Sequence, residues 1–267
     1  MLNSQIGRLR YYMKIWLMLS KNAFLMMLAK KGLFGIFLLG KILRFGFFFA
    51  FLYFLVTGSK ELAGYNVTQA IFFYLTFNVV DVLGQFLYRE VYRFRHLLVS
   101  GDFDLVLSKP INPLFRVLMG GTDVIDMVTI PPLFLAVYFV GQQLDPTALQ
   151  VLYYVLLVIN GLVIATAFYI GVLAMGIITL EIDHTIMVYR DLIGLGTLPV
   201  DIYREPLRSI ITYLIPVGIM VTLPAKAIMG LVSPQGVLFS AIFGVFLFLL
   251  SQRFWNFALK KYTSASS

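Results

Sequence analysis

The sequence predicts an all-α polytopic membrane protein, and three observations support that fold class. The chain has 267 residues, of which 60% are hydrophobic and only 13% are charged. A soluble globular protein carries about 25% charged residues, so this chain lacks the polar side chains that would cover a surface in water. Its mean hydropathy is +0.89, and its apolar residues fall in runs long enough to cross a bilayer. We expect a single transmembrane domain over residues 1–267.

Six apolar segments are long enough to be transmembrane helices. They lie at residues 38–57, 67–88, 116–141, 149–180, 207–223 and 236–254. With an inner amino terminus, nineteen of the 21 lysines and arginines fall on the inner side, and only Lys60 and Lys226 fall on the outer side. The positive-inside rule therefore predicts that both termini are cytoplasmic. The same asymmetry accounts for the net charge of +8 without a nucleic-acid partner.

The amino-terminal residues 1–36 are predicted to form an amphipathic helix in contact with membrane lipid at the inner interface. Lys14 and Lys21 interrupt the apolar run, and Tyr11 and Trp16 lie between basic residues. Lysine stems reach toward lipid headgroups from such a position while aromatic rings stay at the interface. The alternative is an early start of the first span.

Two segments in the second half of the chain are harder to assign. Residues 181–206 are too polar for a confident span, although residues 192–200 are apolar enough to lie on the membrane. Pro216 and Pro224 interrupt the fifth predicted span, and proline at membrane depth requires other groups to satisfy the freed backbone. We expect residues 216–235 to form a kinked helix and then a short re-entrant element on the outer side, between spans five and six.

No catalytic, metal or cofactor site is predicted on this chain. It has no cysteine, which excludes disulfides and thiolate ligands. Residues 35–42, GIFLLGKI, nearly match a phosphate-binding loop, but Ile42 replaces the hydroxyl residue and the segment lies in an apolar helix. Glu181, Asp183 and His184 are close in sequence but lack a fourth ligand, and a solvated helix end explains them better.

Three aspartates fall in or near predicted spans, where an unpaired carboxylate costs about 2.5–3.5 kcal/mol. Asp81 lies in span two, and Asp123 and Asp126 lie in span three, one helical turn apart and on one face. Pairing with Lys41 or Arg44 of span one is the simplest way to neutralise them. The alternative is a role in a substrate path or a proton relay.

Residues 89–115 form the predicted cytoplasmic loop after span two, and turn-forming residues divide it. A short amphipathic helix is expected to end at Gly101, with Asp102 capping the next turn. Pro110 and Pro113 fix the entry into span three. Such a shaped and charged loop suits the docking of a soluble partner. Packing of the loop against its own bundle is the alternative.

Three motifs, in order along the chain, resemble the permeases of the type-2 ABC exporter group, particularly the bacterial ones. The stretch GDFDLVLSKPINPL resembles the family's G-x-(L/F)-D-x-x-L-x-(K/R)-P-x-x-P-(L/F) segment. The stretch LPVDIYREPLRSIITYLIP resembles its (F/L)-P-(V/I)-x-I-Y segment and the helix that follows, and WNFALKKYTSAS resembles its closing motif. The family's closing motif commonly ends in glycine, whereas this chain ends in Ser266-Ser267.

The resemblance implies a six-span permease subunit in the plasma membrane of a bacterium. Such a subunit pairs with a second permease, the same or different, and with two copies of a separate ATPase that binds the ATP and magnesium. In these exporters the cytoplasmic loop after span two docks on the ATPase. By motif position that role falls on Glu90, Arg93, Gly101, Asp102, Asp104, Lys109 and Pro110.

Within that loop, Gly101 and Pro110 are expected to set the shape and the charged residues to make the contacts. Two other functions compete with the exporter. One is a stand-alone proton-coupled transporter that uses Asp81, Asp123 and Asp126, and the other is a membrane scaffold that transports nothing.

Overall fold

The computed structural model describes residues 2–29, 31–59 and 62–263, and these ranges are almost entirely helical. Their only β-type pairing is an isolated bridge between Leu62 and Tyr65. The prediction of an all-α polytopic membrane fold is confirmed. The helices are α1 (Leu2–Leu28), α2 (Lys31–Ser59), α3 (Val67–Tyr88), α4 (Phe94–Val99), α5 (Asp102–Leu107), α6 (Pro113–Leu118), α7 (Val124–Gln142), α8 (Ala148–Thr179), α9 (Ile182–Gly194), α10 (Leu207–Leu214), α11 (Gly218–Ile228) and α12 (Pro234–Lys261).

Side-chain caps fix where the long helices begin. Asn66 and Gln69 form a reciprocal capping box at the start of α3, and Thr147 and Gln150 do the same for α8. Ser233 caps α12, whose first residue is a proline. These caps satisfy backbone N–H groups that have no partner within the helix, and they explain why α3 has the bounds that its sequence pattern predicts.

Five helices are long and apolar enough to cross a membrane, namely α2, α3, α7, α8 and α12. Two of them begin more than two residues away from their predicted start. The first span begins at Lys31 rather than at residue 38, so α1 ends before residue 36. The third span begins at Val124 rather than at residue 116, because residues 113–118 form the separate helix α6 and Asp123 caps α7.

The two ends of the bundle differ in what they carry. One end, which we call the basic end, carries α1, the short helices α4 to α6 and the last turns of α12. There Tyr12 of α1 packs edge-on against Phe115 of α6, and Phe103 of α5 packs against Tyr262. At the opposite end, Gly230 after α11 lies against Gln150 in the first turn of α8.

Helices α10 and α11 form a re-entrant element rather than a crossing. They are bent by 76° relative to each other, and both contain π-helical turns. Arg208 near the start of α10 and Lys226 near the end of α11 form ion pairs with the same carboxylate, Asp201. The two ends of a true span would be about 30 Å apart. Because Asp201 also bonds to Tyr65, just before α3, both ends of the element lie at the opposite end.

The fifth crossing is formed by α9 and the residues that follow it, over residues 182–199. Ile182 lies against Gly176 near the basic end of α8, and Tyr189 packs on Tyr169 further along that helix. Gly196 then meets Val221 of the re-entrant element. The chain thus rises from the basic end to Asp201.

The sequence placed span five at residues 207–223, and that assignment was wrong. Residues 182–199 were passed over because they include polar side chains and because only their first 13 residues are α-helical. The total of six crossings and a re-entrant element between crossings five and six agree with the predicted fold. Arg204 and Arg208 move to the opposite end, and Arg190 lies within the fifth crossing.

The tip of the re-entrant element is held inside the bundle by a close backbone contact. A side chain added at Gly161 of α8 would overlap the backbone carbonyl of Met220. On the next face of α8, Asn160 Nδ2 donates to the Ser240 carbonyl at 2.9 Å and to its hydroxyl at 2.8 Å. Small residues thus let α8 approach both α11 and α12 closely.

Candidate coupling surface and charged clusters

Helices α4 and α5 form a hairpin at the basic end, and a left-handed glycine shapes its turn. Gly101 has φ of +77°, where a residue with a Cβ is about 1–2 kcal/mol less favourable. The predicted helix break at Gly101 is therefore present. The predicted side-chain cap by Asp102 is not, because its Oδ2 accepts a hydrogen bond from the Ser100 hydroxyl at 2.8 Å instead. We call residues 94–107 the α4–α5 hairpin.

One face of the hairpin is anchored by aromatic side chains. Phe94 and Phe103 are fully buried and meet edge-on at 5.2 Å between ring centroids. Trp255 of α12 packs on Phe94, and the Tyr262 hydroxyl donates to Asp104 Oδ1 at 2.9 Å. Burial and this hydrogen bond raise the pKa of Tyr262 to about 12. The hairpin is therefore joined to the end of the sixth crossing.

Glu90 faces inward, which differs from its expected role as an external contact. Its side chain is only 7% exposed and accepts from Arg116 Nη1 at 2.7 Å, with Arg93 at 3.4 Å. Gly120 packs directly on the Glu90 side chain. A buried carboxylate is stable only when it is paired in this way. Glu90 thus ties the end of the second crossing to α6, which leads into the third.

The outer face of the hairpin, with the residues just after it, carries exposed polar and exposed apolar side chains. Asp102, Lys109 and Pro110 are exposed, as predicted for a surface loop. Val99 and Leu105 are also exposed, at 64% and 59%, and the sequence reasoning missed both. The sequence spacing could have indicated the exposure of Leu105. A short helix that buries Phe103 and Val106 turns Leu105, one position before Val106, away from the buried face.

Two contacts join the hairpin region to the fifth crossing. Arg95 Nη1 lies 3.2 Å from Asp183 Oδ2 at the start of α9. Arg190 Nη1 donates to the Tyr92 hydroxyl at 3.0 Å. The segment between the second crossing and α6 therefore contacts both the fifth and the sixth crossings.

Two of the three candidate aspartates are paired at the start of α7. Asp126 forms the predicted ion pair with Lys41 of α2, and its side chain is 2% exposed. Asp123 lies at the helix cap rather than within the helix, where its Oδ1 accepts from the Ile125 amide at 2.8 Å. Its other oxygen is 3.3 Å from Arg89 Nε. Charge pairing and helix capping account for both residues.

The third aspartate has no cation within ion-pair distance in the described part of the chain. Asp81 of α3 is half-buried, and its Oδ2 accepts from Gln85 Nε2 at 2.7 Å. Arg44, the other predicted partner on α2, likewise has no ion pair among the described residues. Lys41, which lines the same cavity, forms its ion pair with Asp126 instead.

A second charged cluster lies at the opposite end and was not predicted as a site. It consists of Asp201, Lys226, Arg208 and Tyr65, which we call the Asp201 cluster. Lys226 Nζ is 2.6 Å from Asp201 Oδ2, and the Tyr65 hydroxyl donates to the same oxygen at 3.0 Å.

The charged and hydrogen-bonding partners of Asp201 shift the pKa of its carboxyl. Burial alone would raise the pKa of Asp201, but the hydrogen bond and charge of Lys226, with Tyr65 and Arg208, hold it below its ordinary value. No local sequence pattern reveals this cluster, because its members come from four separate segments.

Among the described residues, no group of three or more histidines, cysteines or carboxylates is placed to hold a metal ion. The notable features of the chain are therefore its crossings, its hairpin and its paired charges.

Comparison with known proteins identifies the family. A family model described as "ABC-2 family transporter protein" matches residues 42–266, which is most of the chain. No curated protein and no solved structure matched it. The match includes five of the six crossings in full, most of α2, the hairpin and the re-entrant element. The chain therefore belongs to the ABC-2 family of transporter proteins and is a multi-pass membrane subunit of that kind.

Proposed function

We propose that this chain is the permease subunit of an ATP-driven exporter and docks its ATPase through the α4–α5 hairpin. A second permease, the same or different, completes the substrate path. Two copies of a separate ATPase subunit supply ATP hydrolysis and hold the magnesium, and this chain holds no cofactor. The observation that carries the proposal is a rigid helical hairpin with one face anchored in the bundle and Val99 and Leu105 exposed on the other.

The contacts of the hairpin explain how closure of an ATPase would reach the membrane. The hydrogen bond from Tyr262 to Asp104 links the hairpin to the sixth crossing. The ion pair between Arg116 and Glu90 links its base to α6, which leads into the third crossing. A displacement of the hairpin would thus move several crossings together, since packed elements shift as rigid bodies.

The topology follows from the same proposal. The basic end faces the cytoplasm of a bacterium and the re-entrant element faces the outside, with both termini inside. Lysines and arginines remain concentrated at the basic end, as the positive-inside rule requires, even after Arg204 and Arg208 are assigned to the opposite end. Export moves substrate toward the re-entrant element.

A proton-coupled transporter is the second candidate, and one observation favours it. Asp81 is a half-buried carboxylate at membrane depth with no cation partner among the described residues, which is a common feature of proton relays. Asp123 and Asp126 count against a relay, because both already form ion pairs, with Arg89 and Lys41 respectively. The exporter proposal expects transport to survive Asp81→Asn, whereas the relay expects it to stop.

The proposal is tested by purifying the tagged chain in mild detergent from its native membranes and identifying the proteins that co-elute. An ATP-binding subunit is expected with the wild type. Leu105→Arg and Asp102→Lys, which change only the exposed face of the hairpin, are expected to reduce its recovery at least tenfold. The first places a charge in an apolar contact, and the second reverses a charge that a docked partner would complement.

Gln143→Arg is the matched control, since Gln143 is exposed at the opposite end of the bundle. It is expected to leave recovery of the ATPase unchanged. Recovery of no ATP-binding subunit, or equal loss in all three variants, would refute docking through the hairpin.

A further inference from the structure

A polar cavity of about 460 Å³ lies between α2, α3 and α7, in the half of the bundle nearest the basic end. Its floor includes Lys41 and Arg44 of α2, Asp81 of α3, and Asp123 and Asp126 of α7. Ile36, Phe37 and Phe45 form an apolar wall on one side. The cavity therefore combines charges of both signs with an apolar surface.

The cavity borders the exposed surface of the first crossing. The most apolar stretch of α2 has no buried residue, and in a bilayer an uncovered apolar helix surface would face the lipid chains. Asp81 lies two helical turns before the end of α3 at Tyr88, or about 10 Å from it. A molecule that enters from the leaflet at the basic end would have its polar group at this level and its chains beside α2.

Accounting for the charges shows what kind of polar group fits. Asp126 is neutralised by Lys41, and Asp123 is neutralised by Arg89. Two lining charges remain, Arg44 and Asp81, and neither has an ion pair in the ranges that the structure describes. Arg190 acts on Asp81 from a distance, but its guanidinium donates to Tyr92 and does not line the cavity. One unpaired cation and one unpaired anion complement a zwitterion.

The chemistry of the two groups narrows the ligand further. A guanidinium binds a phosphate through directional, charge-assisted hydrogen bonds. A carboxylate gains the same kind of bond from a primary ammonium, which has N–H donors, but not from a quaternary one, which has none. An unpaired charge at membrane depth is unfavourable, so binding of such a ligand would stabilise the folded bundle.

We propose that this cavity binds the headgroup of an aminophospholipid from the leaflet at the basic end, with its ammonium at Asp81 and its phosphate at Arg44. This inference does not rest on docking of an ATPase, and it assigns Asp81 to lipid binding rather than to a relay.

The test uses the wild-type chain in nanodiscs that contain equal amounts of five dioleoyl phospholipids. They are phosphatidylethanolamine, its N-methyl and N,N-dimethyl forms, phosphatidylcholine and phosphatidylglycerol. Lipids that remain bound are counted by native mass spectrometry. The three lipids that keep an N–H donor are expected to be retained at least tenfold more than phosphatidylcholine, which corresponds to about 1.4 kcal/mol. Equal retention of phosphatidylcholine, or a preference for phosphatidylglycerol, would overturn the proposal.

Two neutral variants locate the site. Asp81→Asn is expected to lower the preference for phosphatidylethanolamine over phosphatidylcholine about tenfold, because only the ammonium differs between these lipids. Arg44→Gln is expected to lower the retention of all five lipids about tenfold, because all of them carry the phosphate. Arg95→Gln, which removes a charge from an exposed surface pair, is the control and is expected to keep both the preference and the retention of the wild type. Gel filtration and melting temperature confirm that each variant is folded.

A preference that survives Asp81→Asn, or a lipid retention that survives Arg44→Gln, would place the lipid elsewhere and overturn the assignment. A stable dimer of the chain that retains no lipid would also overturn the assignment, because the second copy would then be the partner of Arg44 and Asp81.

Discussion

Replacing Gly161 with alanine is expected to destabilise the protein by about 1–3 kcal/mol, the usual range for overpacking a close contact. The added Cβ would overlap the backbone carbonyl of Met220, at the tip of the re-entrant element. A backbone atom cannot move aside as the end of a flexible side chain can. The melting temperature of the purified protein and its yield in folded form measure the effect.

Gly171 provides a matched control on the same helix. A Cβ at Gly171 would meet nothing within 4 Å, and alanine favours a helix by up to about 1 kcal/mol over glycine. Gly171→Ala is expected to be neutral or stabilising. Equal melting temperatures for Gly161→Ala and Gly171→Ala would contradict the close packing of α8 on the re-entrant element.

Replacing Asp201 with asparagine is expected to loosen the re-entrant element from the opposite end. The change leaves Arg208 and Lys226 without their shared carboxylate. Loss of one partner from a buried pair costs about 3–5 kcal/mol, and less is expected here because the Arg208 side chain is 46% exposed. Hydrogen exchange should accelerate in residues 207–228 and stay unchanged in α3.

Asp183→Asn is the control for Asp201→Asn, because Asp183 forms an ion pair in which both side chains are more than half exposed. It is expected to leave the exchange of residues 207–228 as in the wild type. Faster exchange in both variants, or in neither, would contradict the role of the Asp201 cluster in holding the element.

The same cluster gives a pH dependence of known sign. The pKa of Asp201 is lowered in the folded protein, so its contribution to the free energy of unfolding is complete above its unfolded pKa of about 3.9. That contribution is lost as pH falls through the folded pKa. Between pH 5 and pH 3 the melting temperature of the wild type should fall, and the fall should be smaller in Asp201→Asn.

The sequence was a good guide where local patterns decide the structure. The apolar run at residues 67–88 has the bounds of α3, because a capping box at Asn66 fixes its start. The break at Gly101 follows from the conformational freedom of glycine. The pairing of Lys41 with Asp126 follows from the cost of an isolated charge in lipid.

The sequence was a poor guide where contacts between distant segments decide the structure. The fifth crossing contains Arg190 and His184, so its composition resembles a loop, and only packing on α8 and a bond to Tyr92 keep it in the bundle. Arg208 lies at the start of the predicted span 207–223 and Lys226 lies just after its end, yet both form ion pairs with Asp201. That meeting, which distinguishes a re-entrant element from a span, has no signature in the sequence.

The candidate site shows the same division. The position of the hairpin was predictable from its turn residues, but the direction of its side chains was not. Glu90 faces inward because Arg116, which lies in α6 and not in a neighbouring turn, is there to pair with it. The exposure of Leu105 was missed because apolar residues were expected to face the core.

The central claim, that the α4–α5 hairpin is the contact with an ATPase, is tested most directly by cross-linking. The chain has no cysteine, so Leu105→Cys provides a single thiol on the exposed face of the hairpin, and Gln143→Cys provides one at the opposite end. In native membranes treated with a short thiol-to-amine cross-linker, Leu105→Cys is expected to link to an ATP-binding protein and Gln143→Cys is not. A link formed equally from both positions, or from neither, would contradict the account.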